Sequence, residues 1–412
     1  VLAKKGKPAP TAITRDEARE LLSCLWLKVN EPRMRTVQSL TLGGVTPSGD
    51  NAANALTAVC LEVVRDMRLP YPNVGARVSR KNPAWYLDAV IDSVSAGAGQ
   101  PMLMADDVWI GNLKKLGYPD EIARDYYNMG CVEIMIPGKQ PNWGVTEPIA
   151  FPMLFEDVFR RFKGREEELD SFDAFFSAYR EALKEHVEAD HREALEKQAG
   201  QPGVCYDPFA SMLIGGCLES GRDMFQSGAA LGAHWSFYAY GLGTAADAMT
   251  AVKRAVYDEK RVTLTALAGA LARNFEGDAP LRAALEGAPH YGNDEDEVDK
   301  IARRILSAFD DHVLSLNSPA EKDKYVSTLF GYFFHVYHGE ITGATPNGRL
   351  KGEPFSDSMG PSQGQDVSGP TAMLNSVLKL DHGGVTGGYA LNLKINPSLV
   401  RGEAGRAALT AL

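Results

Sequence analysis

An α/β protein is the fold class this sequence predicts. Three observations carry the prediction. Segments of helical period alternate with short runs rich in β-branched and aromatic residues, and Gly- and Pro-containing turns separate them. The composition is that of a soluble chain, at 44% hydrophobic and 23% charged. The 412 residues can build a substantial core, as one large domain or as two to three average ones.

The elements follow in order. Residues 1–10 are polar and carry two prolines, as a linker does. A helix is expected over 14–29, where Thr14 can cap, Glu17 stands three residues on, and Ala18, Leu21, Leu22 and Leu25 form an apolar stripe. Residues 39–50 read as a short strand and a Gly/Pro-rich loop, 51–67 as a helix and 74–78 as a strand. Residues 83–96 read as a helix with Pro83 at its first turn, and 102–105 as a strand. Helices follow over 107–116 and 119–128, then a strand from Cys131. From 147 to 200 the chain reads as mostly helical, ending at Gly200-Gln201-Pro202. A strand is expected over 235–240 and helices over 245–256, 263–274, 296–314 and 320–335. Residues 341–370 form a long loop rich in Gly, Pro and Ser, the kind that carries function. Strands are expected over 377–380 and 389–395. The chain begins with Val1, and 401–412 read as mid-helix with no stop signal, both expected of a piece of a longer protein.

Charge and cysteine usage exclude several classes. The net charge is −10, with no basic block dense enough for nucleic acid. No apolar run is long enough to span a bilayer, and no signal peptide is visible. Cys24, Cys60, Cys131, Cys205 and Cys217 have no metal-type spacing and read as reduced thiols of a cytoplasmic protein.

Gly130-Cys131-Val132-Glu133 is the most informative stretch. In an extended segment, positions i and i+2 share a face, roughly 6.5–7 Å apart. Cys131, Glu133 and Met135 then lie on one side and Val132, Ile134 and Ile136 on the other. A sulfur beside a proton acceptor is a catalytic pairing. On the tetrapeptide alone, the simpler reading is a buried cysteine with a surface glutamate.

Other motifs reduce to structure. Gly241-Leu242-Gly243-Thr244-Ala245-Ala246, with Asp258-Glu259 further on, fits a dinucleotide fingerprint but reads as a tight strand-to-helix turn. Asn347-Gly348-Arg349 is a turn by composition. His335 and His338, with Glu340 near, lack a clear third ligand and read as structural. Gly216-Cys217-Leu218-Glu219 repeats the Gly-Cys-x-Glu pattern in a region without strand-like alternation, and Cys217 is read as non-catalytic.

Long collinear segments then resemble one family, over nearly the whole chain. They are 39–50 with its Thr-Leu-Gly-Gly core, 125–133 around Cys131, 243–260, 274–277, 288–294, 345–357 running on to 369–372, and Leu391-Asn392-Leu393-Lys394. Together they resemble the glycyl radical enzymes of the pyruvate formate-lyase superfamily. The resemblance implies a ten-stranded α/β barrel surrounded by helices, one barrel domain over 1–412 that is incomplete at both ends. It implies that Cys131 becomes a thiyl radical and that Glu133 is the general base beside it. The expected activity is anaerobic elimination with C–O, C–N or C–S cleavage, by a lyase or dehydratase acting on a small molecule; substrate-binding residues are left unassigned. No metal or small-molecule cofactor is expected in the chain. The odd electron would be a glycyl radical, installed by an S-adenosylmethionine-dependent iron–sulfur activating enzyme. A homodimer is also implied.

Departures set bounds on that reading. Cys131 has Gly130 and Val132 as neighbours, not a second cysteine, which disfavours pyruvate formate-lyase-like acyl transfer. Trp143-Gly144-Val145 lacks the acid that glycerol-type dehydratases carry after this tryptophan. The radical loop, of the form Arg-Val-x-Gly-Tyr, is expected beyond Lys394, so Gly387 and Gly388 are not the radical site and the glycine domain is not included. An arylacetate-type decarboxylase and a non-catalytic paralogue are the alternatives.

Overall fold

Two wholly parallel sheets and one antiparallel hairpin hold the strands of the computed structural model, which describes residues 13–31, 38–141, 143–396, 399–400 and 402–412. The linker read over 1–10 lies outside the described residues. The chain divides into two compact units, Val1–Pro137 with Lys394–Leu412, and Gly138–Leu393.

In the first unit, β1 (Ser39–Gly43), β2 (Asn73–Val78) and β3 (Met102–Ala105) form a parallel sheet in that order. Parallel neighbours need a crossover, and helices Ala55–Met67 and Ala84–Ser95 supply them. The core joins Leu42, Val74 and Ala76 of the sheet to Leu61, Val64, Tyr86 and Val90 of these helices. Helix Arg15–Val29 starts at the expected capping box, Thr14 with Glu17. Its buried residues are Trp26 and Val29, whereas Leu21 is 60% exposed. The apolar stripe is therefore rotated from the one expected, because Trp26 carries the largest apolar area and takes the inner face. Helix Gly402–Ala411 lies on this unit through Arg406, which pairs with Asp88 and Asp92.

The helix expected over 119–128 is one turn, Asp120–Ala123. The Arg77 guanidinium takes the carbonyls of Arg124 (2.9 Å) and Tyr126 (3.1 Å), and this competes with continued helical bonding. The freed residues form β4 (Tyr127–Met129), antiparallel to β5 (Glu133–Met135), with Met129 opposite Glu133.

In the second unit the sheet order is β10–β9–β8–β6, with β7 also on β8. The strands are β6 (Trp143–Val145), β7 (Ile149–Ala150), β8 (His234–Tyr240), β9 (Lys324–Leu329) and β10 (Gly388–Tyr389). Alternate residues Trp235, Phe237, Ala239, Tyr325 and Leu329 join the core built with helices Phe172–Val204, Leu242–Val252 and Asp296–Ser315. No sheet of the described residues closes on itself.

Several expectations fail here for physical reasons. The helix read over 320–335 is strand β9 followed by helix Phe334–Ile341. Lys324–Leu329 is buried at every position, and a strand covered on both faces shows no alternation to read. The strand read over 377–380 is the end of helix Pro370–Leu378, and the one over 389–395 shrinks to β10. Helix Phe172–Val204 runs through Pro202, whose missing N–H falls in the last turn, while the Cys205 N–H still reaches the Gln201 carbonyl at 2.8 Å. The strands β6 and β7 and helix Ala279–Glu286 have no counterpart in the sequence reading.

Gly241 makes the expected strand-to-helix turn at φ +79°. All 11 residues of the helix it opens are buried, and the Thr244 N–H is taken by the Ser356 hydroxyl at 3.0 Å. A Cβ on Gly243 would stand 2.7 Å from the Gly360 carbonyl, so no pyrophosphate fits there.

Candidate active site

Cys131 sits at the tip of the β4–β5 hairpin, in the turn Gly130-Cys131-Val132, and not within a strand. The expected sharing of one strand face by Cys131 and Glu133 is therefore replaced by a closer arrangement. Gly130 at φ +63° reverses the chain, a conformation that glycine adopts without strain. Glu133 opens β5 and is 4% exposed. Its Oε2 accepts the backbone N–H of Cys131 at 3.1 Å and that of Val132 at 3.0 Å. The carboxylate thus lies under the turn that presents the thiol.

Burial pushes the Cys131 thiol up to about 11, with the Glu133 carboxylate adding to the rise. At neutral pH the group is S–H and not thiolate. That suits donation of a hydrogen atom and does not suit a nucleophile or a thiolate metal ligand.

Three sets of contacts hold the hairpin. The Thr41 hydroxyl donates to Asn128 Oδ1 at 2.5 Å and accepts the Asn128 N–H at 3.2 Å. Asn73 Nδ2 donates to the Gly130 carbonyl at 2.9 Å. Beneath the strand entry, Arg77 pairs with Asp106 at 2.7 Å with both side chains buried, and Tyr126 donates its hydroxyl to Asp106 at 2.7 Å. The Arg77 guanidinium also lies over the Tyr126 ring, 4.0 Å from its centroid. Asn73, Arg77 and Asp106 escaped the sequence reading because they come from segments up to 57 residues away from the turn they support.

The other singled-out residues stand apart from this hairpin in role. Cys217 is buried at the start of the short helix Cys217–Ser220, where Glu219 accepts the Gly216 N–H at 2.9 Å. The second Gly-Cys-x-Glu is therefore a helix cap and not a hairpin tip. His338 Nδ1 pairs with the Tyr240 hydroxyl, and His335 lies 3.9 Å from Asp357. Among the described residues no group of three His, Cys, Asp or Glu is placed to hold a metal. The Trp143 indole donates to the Ser236 hydroxyl at 2.9 Å, with Val145 on the same strand. No helix of the described residues is long and apolar enough to cross a membrane.

A titration tests the environment of the thiol directly. Relative to a cysteine at its ordinary 9.0, a group at about 11 has roughly a hundredfold less thiolate near pH 8. Alkylation of Cys131, followed by peptide mass spectrometry, is expected to be slower than that of a free cysteine peptide by about that factor and to accelerate up to about pH 11. The linked stability has the same window. Below 9.0 the thiol is protonated in folded and unfolded chain alike, and native stability is lost as pH rises from there toward about 11.

Comparison with known proteins places these features in context. Residues 5–339 match the family model described as Pyruvate formate lyase-like, and residues 355–412 the one described as Glycine radical. The chain is 31% identical over 424 residues to trans-4-hydroxy-L-proline dehydratase of Clostridioides difficile, covering 95% of this chain and 53% of that protein. It is 30% identical over 427 residues to isethionate sulfite-lyase of Desulfovibrio desulfuricans, covering 95% and 51%. The glycerol-bound B12-independent glycerol dehydratase from Clostridium butyricum superposes with a TM-score of 0.90 at 31% identity, over 97% of this chain and 53% of that one. The chain spans about half the length of the curated relatives it matches.

Proposed function

The chain belongs to the pyruvate formate lyase-like family of glycyl radical enzymes, and we propose that it carries the cysteine and base of an anaerobic radical lyase or dehydratase. The observation behind this reading is the Glu133 carboxylate held under the Cys131 turn by two backbone N–H groups, beside a thiol that keeps its proton.

A glycyl radical, when installed, supplies the odd electron that draws the hydrogen atom from the Cys131 S–H. The intact thiol fits that role. Cys131 sulfur, now a thiyl, takes a hydrogen atom from the substrate carbon that bears a hydroxyl. Glu133 takes the proton of that hydroxyl, which leaves a ketyl radical anion. The neighbouring group departs with its bonding pair and takes up the proton from Glu133, and an α-carbonyl radical remains. Cys131 returns its hydrogen atom to that carbon and is a thiyl again. Loss of sulfite from isethionate and loss of water from glycerol, the substrates named in two relatives, both fit this course with different leaving groups.

The remaining assignments are parts of the same proposal. The radical glycine is proposed to lie beyond Lys394, in the part of the glycine domain that follows the stretch matched by residues 355–412; no Arg-Val-x-Gly-Tyr sequence stands among residues 395–412. An S-adenosylmethionine-dependent iron–sulfur enzyme installs the radical, and the protein works as a cytoplasmic homodimer on a small molecule. The lone Cys131 sets acyl transfer aside, because no adjacent thiol can hold the acyl group.

Glu133→Gln tests the base. The amide oxygen can still accept the two turn N–H groups, so the fold is expected to stay. Turnover in the full-length, activated protein is expected to fall about 10²–10⁴-fold, the usual worth of a positioned base. Full activity in this variant would assign the proton to another group.

A further inference from the structure

We propose that Asn73 is the residue that positions the Cys131 turn for hydrogen-atom transfer. The inference rests on the reading of Cys131 as the hydrogen-atom carrier.

The peptide between Gly130 and Cys131 is gripped at both ends. Its carbonyl accepts Asn73 Nδ2 at 2.9 Å, and its N–H donates to Glu133 Oε2 at 3.1 Å. A peptide unit is planar, so in a turn it is reoriented only through the torsions on either side of it. Those torsions set the direction of the Cys131 Cα–Cβ bond and therefore of the thiol. A grip on one end leaves that reorientation open, whereas a grip on both ends blocks it.

Asn73 suits the task because its own backbone is fixed. It is the first residue of β2, in register with Ser39 of β1, and its N–H donates to the Gln38 carbonyl at 2.8 Å. The side chain therefore reaches the turn from a sheet, not from a loop. The grip is also separable from the fold. The legs of the hairpin are held by Thr41 through Asn128, and by Arg77 through the carbonyls of Arg124 and Tyr126. Removing the Asn73 amide frees only the tip.

Misplacing reacting atoms by about 1 Å can cost about a hundredfold in rate. Asn73→Ala and Asn73→Asp are the test variants. The second keeps the size but replaces the donor with an acceptor that opposes the Gly130 carbonyl. In the full-length, activated protein both are expected to lower kcat about tenfold to a hundredfold with KM nearly unchanged. The glycyl signal in electron paramagnetic resonance should stay at the wild-type level, and the isotope effect on the substrate C–H should rise. A merely structural residue would lower the amount of active protein and leave the isotope effect alone. Cys131 alkylation on this chain gives a second readout that needs no turnover, and it is expected to quicken severalfold in Asn73→Ala, whose substitution adds no charge beside the thiol. Wild-type kcat and isotope effect in both variants, or unchanged alkylation in folded Asn73→Ala, would overturn the proposal. An inactive wild-type protein with quickened alkylation in Asn73→Ala would keep the grip and remove the proposed function instead.

Discussion

Cys131→Ala is expected to reduce turnover of the full-length, activated protein by at least about a thousandfold, about 4 kcal/mol of barrier. Alanine offers no S–H, and no other described thiol shares the hairpin tip with Glu133. The fold should survive. The contacts that shape the turn are the backbone N–H groups to Glu133 and the Gly130 carbonyl to Asn73, and none involves the sulfur. Stability is therefore expected to stay within about 1 kcal/mol of wild type, checked by urea unfolding. Cys131→Ser should be equally inactive, because an O–H bond is too strong to yield its hydrogen atom to a carbon radical. Turnover by either variant would remove the thiyl from the account.

Asp106→Ala carries the largest expected effect on stability. The carboxylate is fully buried and has three partners, namely Arg77, the Tyr126 hydroxyl and the Val45 N–H at 2.9 Å. Its removal leaves a buried guanidinium without its counter-charge and strands two further donors. Breaking such a pair from one side typically costs about 3–5 kcal/mol. Urea unfolding of the chain should show that loss, and Asp106→Asn, which still accepts hydrogen bonds, should lose less. The damage is expected to reach the hairpin, since the same Arg77 carries the carbonyls of Arg124 and Tyr126 that lead into β4. A loss under about 1 kcal/mol for Asp106→Ala would mean that the network bears little on the fold.

The parts of the fold legible from sequence share one trait, a local signal. Helix Arg15–Val29 announces itself by Thr14 and Glu17, and helix Ala84–Ser95 by Pro83. The turn at Gly241 needs only a small residue between a strand and a helix. Where the decisive partner is distant, the reading fails. Strand β9 hides in a segment that is buried on both faces, and the carbonyls drawn off by Arg77 cut the helix after Ala123. The candidate site divides in the same way. Cys131 and Glu133 stand two residues apart and are visible as a pair, but their spacing says nothing of a turn. A strand and a hairpin tip carry the same tetrapeptide, and only the pairing of Met129 with Glu133 distinguishes them. Asn73 and Asp106 had no local signal at all, because each acts on a segment that the chain reaches much later or reached much earlier.

The central claim is that Cys131 passes hydrogen atoms between a glycyl radical and substrate. Its most direct test is electron paramagnetic resonance of full-length wild-type and Cys131→Ala proteins, activated anaerobically, before and after each candidate substrate, with product measured in the same samples. The account predicts a glycyl doublet in both proteins and product only in the wild type. Product from Cys131→Ala, or no doublet in a wild-type protein treated under conditions that activate a control enzyme, would contradict it.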